Sequence, residues 1–233
     1  MSDNEAAIDL EIRAVLTGKV QAFGPDGVPS AIAKNAVSGA VAFDEFGLVS
    51  DEQGDLSVHG GVDKALHHYP FEYYERWRAL LAAASAGKHP NLSHPGAFGE
   101  NLSTLGLQTG DVCVGDIFEL GSGVVQVSQG RTPCWKLNER FQTPSMVKMV
   151  ISSGMTGWYY RVLQPGAVQS GDRLVLKERM AAAWPLMRLA ALMSDRSFDL
   201  ELVEEVAGFP FLSESWRQKL LKRLAKGSER REP

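Results

Sequence analysis

Cys134 stands in the run Ser128-Gln129-Gly130-Arg131-Thr132-Pro133-Cys134-Trp135-Lys136-Leu137. A strand-like stretch, a Gly and a Pro precede it, and the pattern predicts a short helix over 135–141 after it. A cysteine at a helix start feels the positive end of the helix dipole, and Arg131 and Lys136 add positive charge. Both favour thiolate over thiol. A thiolate is a nucleophile or a soft metal ligand. Most free cysteines are inert buried thiols, and the electropositive flanks are what set Cys134 apart. Cys113, between Val112 and Val114, has no Lys or Arg nearby and reads as packing.

Three further clusters offer polar chemistry. In Val58-His59-Gly60-Gly61-Val62-Asp63-Lys64-Ala65-Leu66-His67-His68-Tyr69 the paired glycines let the backbone approach a ligand closely. His59 and Lys64 beside them suit an anion such as phosphate, and a solvated turn is the plain alternative. Read as a strand, 65, 67 and 69 share one face and 66 and 68 the other, so His67 or His68 faces inward, not both. His59, His67 and Cys134 could make a zinc site, although nothing in the spacing requires one. In Phe98-Gly99-Glu100-Asn101-Leu102-Ser103, Asn101 carries donor and acceptor in one side chain, a pair that turns commonly use for themselves. In Gly157-Trp158-Tyr159-Tyr160-Arg161-Val162, an inward Arg161 needs an anionic partner, whereas an outward one lays its stem on a ring.

Short strands and many turns must position these groups. Strand-like runs are expected from Glu11 to Thr17 and over 65–69, 112–120, 124–129, 158–163 and 173–176. Gly115-Asp116 and Gly171-Asp172 open two of them alike. Few helices separate them, which excludes parallel βαβ alternation and fits a barrel or closed sheet. One amphipathic helix is expected over 71–86, with Tyr73, Trp77, Leu80, Leu81 and Ala84 on its face. Past Lys177 the pattern turns helical: 184–193, 199–207 stopped by Gly208, and a third helix capped by Ser213, with Trp216, Leu220, Leu221 and Leu224 on one face. The expected organisation is a β-rich domain over 1–177 and a small three-helix domain over 178–233.

Composition bounds the function. The 233 residues are 44% hydrophobic and 22% charged, enough to build a core. The net charge of −4 argues against a dominant nucleic-acid surface. That charge is uneven: residues 214–233 hold seven Lys/Arg and three Asp/Glu, leaving the first 213 strongly acidic. Two cysteines are too few for a disulfide framework, the acidic start lacks the marks of a signal peptide, and no stretch is long and apolar enough to span a bilayer. A cytoplasmic protein with no membrane partner is the expectation.

The ordered set DEQGDLSVHGG, VHGGVDKALHHYP, FGENLS, VGDIFELG, VQVSQGRTPCWKLN and GWYYRVLQPGAVQSGDRLVL resembles the MOSC domain. The tail with LSESWRQKLLKRL is similar to the three-α domain that follows MOSC in YiiM-type proteins. The resemblance runs from about Ile12 to Leu224. It implies a mainly β, closed barrel-like domain plus a C-terminal three-helix domain, and binding of the molybdenum cofactor, a pterin dithiolene with a phosphate. Cys134 aligns with the family's molybdenum ligand. The family pattern also places His59, Lys64, His67, Asn101, Arg131, Thr132 and Arg161 in the pocket wall. Arg and Lys would hold phosphate, and Asn101 and Thr132 would bond the pterin or orient Cys134. Glu100 stands behind them. Val62 and Gly130 replace prolines common in the family, which is expected to loosen two turns.

The resemblance further implies a reductase of N-hydroxylated compounds, such as hydroxylaminopurine base analogues, removing oxygen from N–OH with two electrons and two protons. With no dinucleotide fingerprint and no iron–sulfur cysteine set in the sequence, electrons would come from a separate reductase or ferredoxin-like protein. The basic helix near Lys219–Lys226 is a candidate dock. The alternative is a sulfur or cofactor carrier that uses Cys134 as persulfide or metal ligand without turnover. Either reading leaves room for a homodimer.

Overall fold

The computed structural model describes residues 8–55, 60–84, 89–194 and 199–229. Its centre is a curled nine-stranded sheet. The order across it is Asp9–Glu11, Arg173–Glu178, Ile117–Leu120, Gly123–Gly130, Trp158–Gln164, Leu66–His68, Leu102–Ser103, Ala14–Thr17 and Asn35–Ala36. All neighbours are antiparallel except Leu66–His68 against Leu102–Ser103. One short chain segment serves both ends. Asp9–Glu11 pairs with Arg173–Val175, and Ala14 and Val15 pair with Ser103 and Leu102. Between them Ile12 exchanges backbone hydrogen bonds with Gly171 and Asp172. The half-barrel is thereby drawn into the barrel-like form expected.

Alternation along the strands fills the interior. Val125 and Val127 turn inward with Phe118, Leu120, Trp158, Tyr160 and Leu174, all fully buried. The long strand Gly123–Gly130 carries a register shift between Val127 and Gln129. The strand run expected over 112–120 is regular only over Ile117–Leu120, which leaves Cys113 outside the strand. Cys113 is buried and makes an isolated bridge to Pro185.

The expected amphipathic helix forms as Glu72–Ala84. Tyr73, Trp77 and Leu81 are buried, but Leu80 is 43% exposed and Tyr74 takes the core position instead. With Tyr69, Phe98, Leu137, Phe141, Met146 and Val150 they form a second core layer. Helix Met146–Ser153, which no sequence signal announced, closes that layer.

The tail forms helices Leu186–Ser194, Leu200–Ala207 and Glu214–Glu229. The Asp199 side chain accepts from the Glu201 N–H, capping the second. Leu186, Leu189, Val203, Val206, Trp216 and Leu220 belong to the same apolar cluster as the sheet interior. Leu221, expected beside them, is 42% exposed. Backbone bonds Val114 N–H to Trp184 O, Leu186 N–H to Val112 O and Ser213 N–H to Ser128 O dock the helices. No helix of the described residues is long and apolar enough to cross a membrane.

Candidate functional site: a cation-lined cleft at Cys134

Cys134 opens into a cleft of about 630 Å³, part of it continuous with solvent. Lys34, Lys64, Arg131 and Lys136 line it with two carboxylates, Asp51 and Glu52, and with His67, Asn101 and Tyr159. Of the residues singled out from the sequence, Cys134, Lys64, His67, Asn101 and Arg131 are thus brought together. Cys134 is half-buried and Cys113 fully so. The helix after Cys134 is only Lys136–Arg140, and the Leu137 N–H bonds the Cys134 carbonyl. So short a helix carries little dipole; the positive surroundings come from side chains. Lys136 Nζ donates to the Pro29 carbonyl at 3.0 Å, which ties the loop to the hairpin of Gln21–Phe23 and Val28–Ser30.

His67 and His68 are both buried, and, as the strand reading expects, only one of them, His68, faces the barrel interior. They lie on opposite faces of the strand, and both faces are covered. His68 enters the barrel, where its ring nitrogens meet Tyr160 Oη at 3.1 Å and Thr104 Oγ1 at 2.9 Å. Burial lowers its pKa to about 3. His67 faces the cleft. Burial first, then the neighbouring Arg131 cation, push it well below the ordinary imidazole range, so it is neutral at pH 7. Its Nε2 has no hydrogen-bond partner.

Arg131 is 8% exposed. Its Nη2 donates to the Phe98 carbonyl at 3.0 Å, while Nη1 has no partner. Two orphaned, buried nitrogens in one cleft are costly without a ligand to meet them. Tyr159 packs on His67 with ring centroids 5.1 Å apart, and burial holds its hydroxyl above the usual phenol range. Burial lowers the pKa of Lys64, and the Lys219 cation adds to that.

Asn101 lines the cleft, but its amide is spent on the frame. Oδ1 accepts from the His67 N–H at 3.1 Å; Nδ2 donates to the Leu16 carbonyl and to Asp51 Oδ2. Asp51 also accepts from the Gly18 N–H and pairs with Lys34. Glu100, fully buried, takes Gly96 N–H, Phe98 N–H and the Tyr74 hydroxyl, and so shapes the loop that presents Phe98 and Gly99.

Thr132 and Arg161 stand elsewhere. Thr132 turns to a different groove, between the Cys134 loop and the C-terminal helices. Arg161 Nε reaches Asp63 Oδ1 at 3.0 Å and Nη1 reaches Gln126 Oε1. This is the anionic partner that its strand position required. The other Asp63 oxygen accepts from the Glu214 N–H at 2.9 Å. Arg161 therefore braces the turn that carries Lys64. His59 lies outside the described residues. Gly60 and Gly61 beside it have φ of +125° and +84°, and a Cβ on Gly60 would overlap Gln53 Oε1. Gly130, expected to loosen a turn, instead ends a strand, where Trp216 packs 3.2 Å from the position of a Cβ.

Lys34, Asp51, Lys136 and Tyr159 complete the site, and sequence reasoning did not single them out as site residues. Lys136 and Tyr159 lie in the quoted motifs. Asp51 begins DEQGDLSVHGG, and Lys34 has no local signal. Among the described residues no group of three His, Cys, Asp or Glu could hold a metal by itself. A single thiol among cations instead suits a metal that arrives with its other ligands and an anionic tail.

The MOSC domain family matches residues 55–175, and the YiiM-like, 3-alpha helix domain family matches 184–227. The chain is 40% identical over 213 residues to Protein YiiM of Escherichia coli, covering 91% of this chain and 92% of that protein. It is 36% identical to a protein of Gibberella moniliformis named Reductase, over 86% of this chain but 35% of that one. Its fold is similar to the crystal structure of YiiM from Geobacillus stearothermophilus, with a TM-score of 0.76 and 34% identity over 92% and 99% of the two chains. The barrel, the cleft around Cys134 and the three docked helices are thus features of a member of the MOSC domain family that carries a YiiM-like three-helix domain.

Proposed function

We propose that this protein binds the molybdenum cofactor in the Cys134 cleft and reduces N-hydroxylated compounds. The observation that carries the reading is the pairing of a half-buried thiol with two unpartnered buried nitrogens, His67 Nε2 and Arg131 Nη1, in one cation-lined cleft. The residues fit the group. Cys134 Sγ would be the protein's ligand to the metal, and Arg131, with Lys64 and Lys136 on the same wall, would hold the phosphate. Neutral His67 offers Nε2 to a polar edge of the pterin.

Bound there, the cofactor supplies two-electron oxygen-atom chemistry: R–NHOH with two electrons and two protons gives R–NH2 and water. The chain's own part is positioning and protonation. Asp51 and Asn101 fix the strands that present His67. Glu100 fixes the loop that presents the Phe98 carbonyl to Arg131. Tyr159 keeps its proton at neutral pH and stands ready as an O–H donor inside the cleft. The homologue named Reductase agrees with this reading at the level of its name.

The test is direct. The protein is purified from a host that makes the cofactor, and molybdenum and pterin are measured per chain. Wild type should hold about one of each and reduce an N-hydroxylated purine with dithionite-reduced methyl viologen. Cys134→Ala should lose metal and turnover together. Wild type without molybdenum would overturn the reading. Metal without any turnover would favour a carrier role.

A further inference from the structure

We propose that Lys34 is the catalytic acid of the cleft: its ammonium group binds the oxygen of the N-hydroxylated substrate and gives that oxygen a proton as the N–O bond breaks. The inference rests on the reductase reading above and gives work to a residue that reading leaves idle.

Lys34 is a buried donor with capacity to spare. Its side chain is 7% exposed, and it lines the cleft. An ammonium carries three N–H groups. One meets Asp51, and among the described residues no other acceptor lies within hydrogen-bond distance of Nζ. Buried N–H groups are nearly always bonded, so the spare pair needs an acceptor in the cleft. The cofactor phosphate is poorly placed for that role. Asp51 and its neighbour Glu52 line the cleft beside Lys34, and carboxylates repel an anion. A neutral N–OH oxygen meets no such repulsion.

The other donors of the cleft are less fit to give that proton. Arg131 does not deprotonate, and Lys136 Nζ is turned to the Pro29 carbonyl. His67 is neutral, and burial makes the Tyr159 hydroxyl a weaker acid than usual. Lys64 stands near the Lys219 cation, a pairing that suits an anion. Burial acts on Lys34 in the useful direction. It disfavours the charged form and outweighs Asp51 and Glu100, which support it, so this ammonium is a stronger acid than one in water.

The step balances. Two electrons, from reduced methyl viologen in the assay, enter as the N–O bond breaks. One proton passes from Lys34 Nζ to the oxygen, which departs as water. The nitrogen, left strongly basic, takes the second proton and completes R–NH2; a weak acid such as the Tyr159 hydroxyl suffices there. Solvent then reprotonates both groups.

Lys34→Arg separates an acid from a brace. Arginine keeps a cation for Asp51 but holds its proton. With dithionite-reduced methyl viologen and 6-N-hydroxylaminopurine, kcat should fall at least about 100-fold while KM changes less than about threefold. Molybdenum per chain and the urea midpoint should match wild type. A second measurement needs neither turnover nor that variant. Calorimetry on the oxidised, molybdenum-loaded protein, without reductant, compares 6-N-hydroxylaminopurine with adenine, its reduced product. Wild type should bind the N-hydroxy compound at least about fivefold more tightly, and Lys34→Met/Asp51→Leu, which removes both charges, should abolish that preference. A Lys34→Arg variant with wild-type kcat would overturn the proposal, as would a wild type without the preference or a double variant that keeps it. So would a Lys34→Arg variant that loses molybdenum, since Lys34 would then hold the cofactor. A molybdenum-loaded wild type inactive with methyl viologen would instead overturn the reductase reading itself.

Discussion

Lys34 and Asp51 form an ion pair whose side chains are each only 7% exposed, and the Asp51 carboxylate also receives the Asn101 amide and the Gly18 N–H. Burial works against the Lys34 charge and Asp51 works for it. Removing one partner of such a pair leaves the other stranded. Asp51→Ala is therefore expected to cost about 3–5 kcal/mol. The urea midpoint should drop accordingly, and a Lys34→Met/Asp51→Leu double variant should recover most of the loss. An Asp51→Ala midpoint equal to wild type would show that the pair does not brace the cleft.

Stability should fall in mild acid because of His68. Its folded pKa of about 3 lies below the unfolded value near 6.5, so the unfolded chain binds the proton first. The contribution is complete above pH 6.5 and is lost as pH falls from there towards 3. Between pH 7 and 5 the expected loss from this residue is about 2 kcal/mol. His67 is depressed in the same direction and adds to it. Urea titrations at the two pH values measure the effect, and His68→Gln should flatten it.

Arg131→Lys keeps a cation but loses the guanidinium fork that serves Phe98 with one arm and leaves Nη1 for a ligand. About a tenfold weaker hold on the cofactor is expected, read as molybdenum retained after dialysis. Free-thiol titration of the metal-free variant should be unchanged.

Asp63 joins two regions, since one oxygen holds Arg161 and the other receives the Glu214 N–H. Asp63→Ala is expected to loosen the start of helix Glu214–Glu229 by about 1 kcal/mol, the usual worth of a helix-start acceptor. Hydrogen exchange of the amides at 214–217 should quicken. Unaltered exchange would mean that the helix is seated by Trp216 and Leu220 alone.

The barrel and the tail helices were legible because their strands and faces are long enough to show a period, as in Gly123–Gly130, Trp158–Gln164 and Leu200–Ala207. Asn35–Ala36, Gly47–Leu48 and Leu102–Ser103 are two residues each and too short to show one. Cys134 stood out by its electropositive flanks, whereas Arg131, His67, Lys64 and Asn101 were placed in a pocket only by the family resemblance, their own motifs reading as ordinary turns and strands. Lys34 was not legible, because its meaning comes from Asp51, 17 residues away. Leu80 misled because a helix stripe drawn from sequence does not show where the second layer ends. Thr132 and Arg161 belong to the right motifs, but a one-residue step along a loop, or one turn of the pleat, sends the side chain to another compartment.

Arg173 meets Asp9 across a separation of 164 residues. During synthesis at roughly 5–20 residues per second, the first strand waits on the order of ten to thirty seconds for the partner that seals it. Through that interval an open sheet edge is on offer to any other chain nearby. Asp9 and Glu11, exposed at its rim, are acidic gatekeepers for that wait. Neutralising both would leave the finished barrel's interior untouched and lower the yield of soluble protein, a penalty paid before the molecule exists.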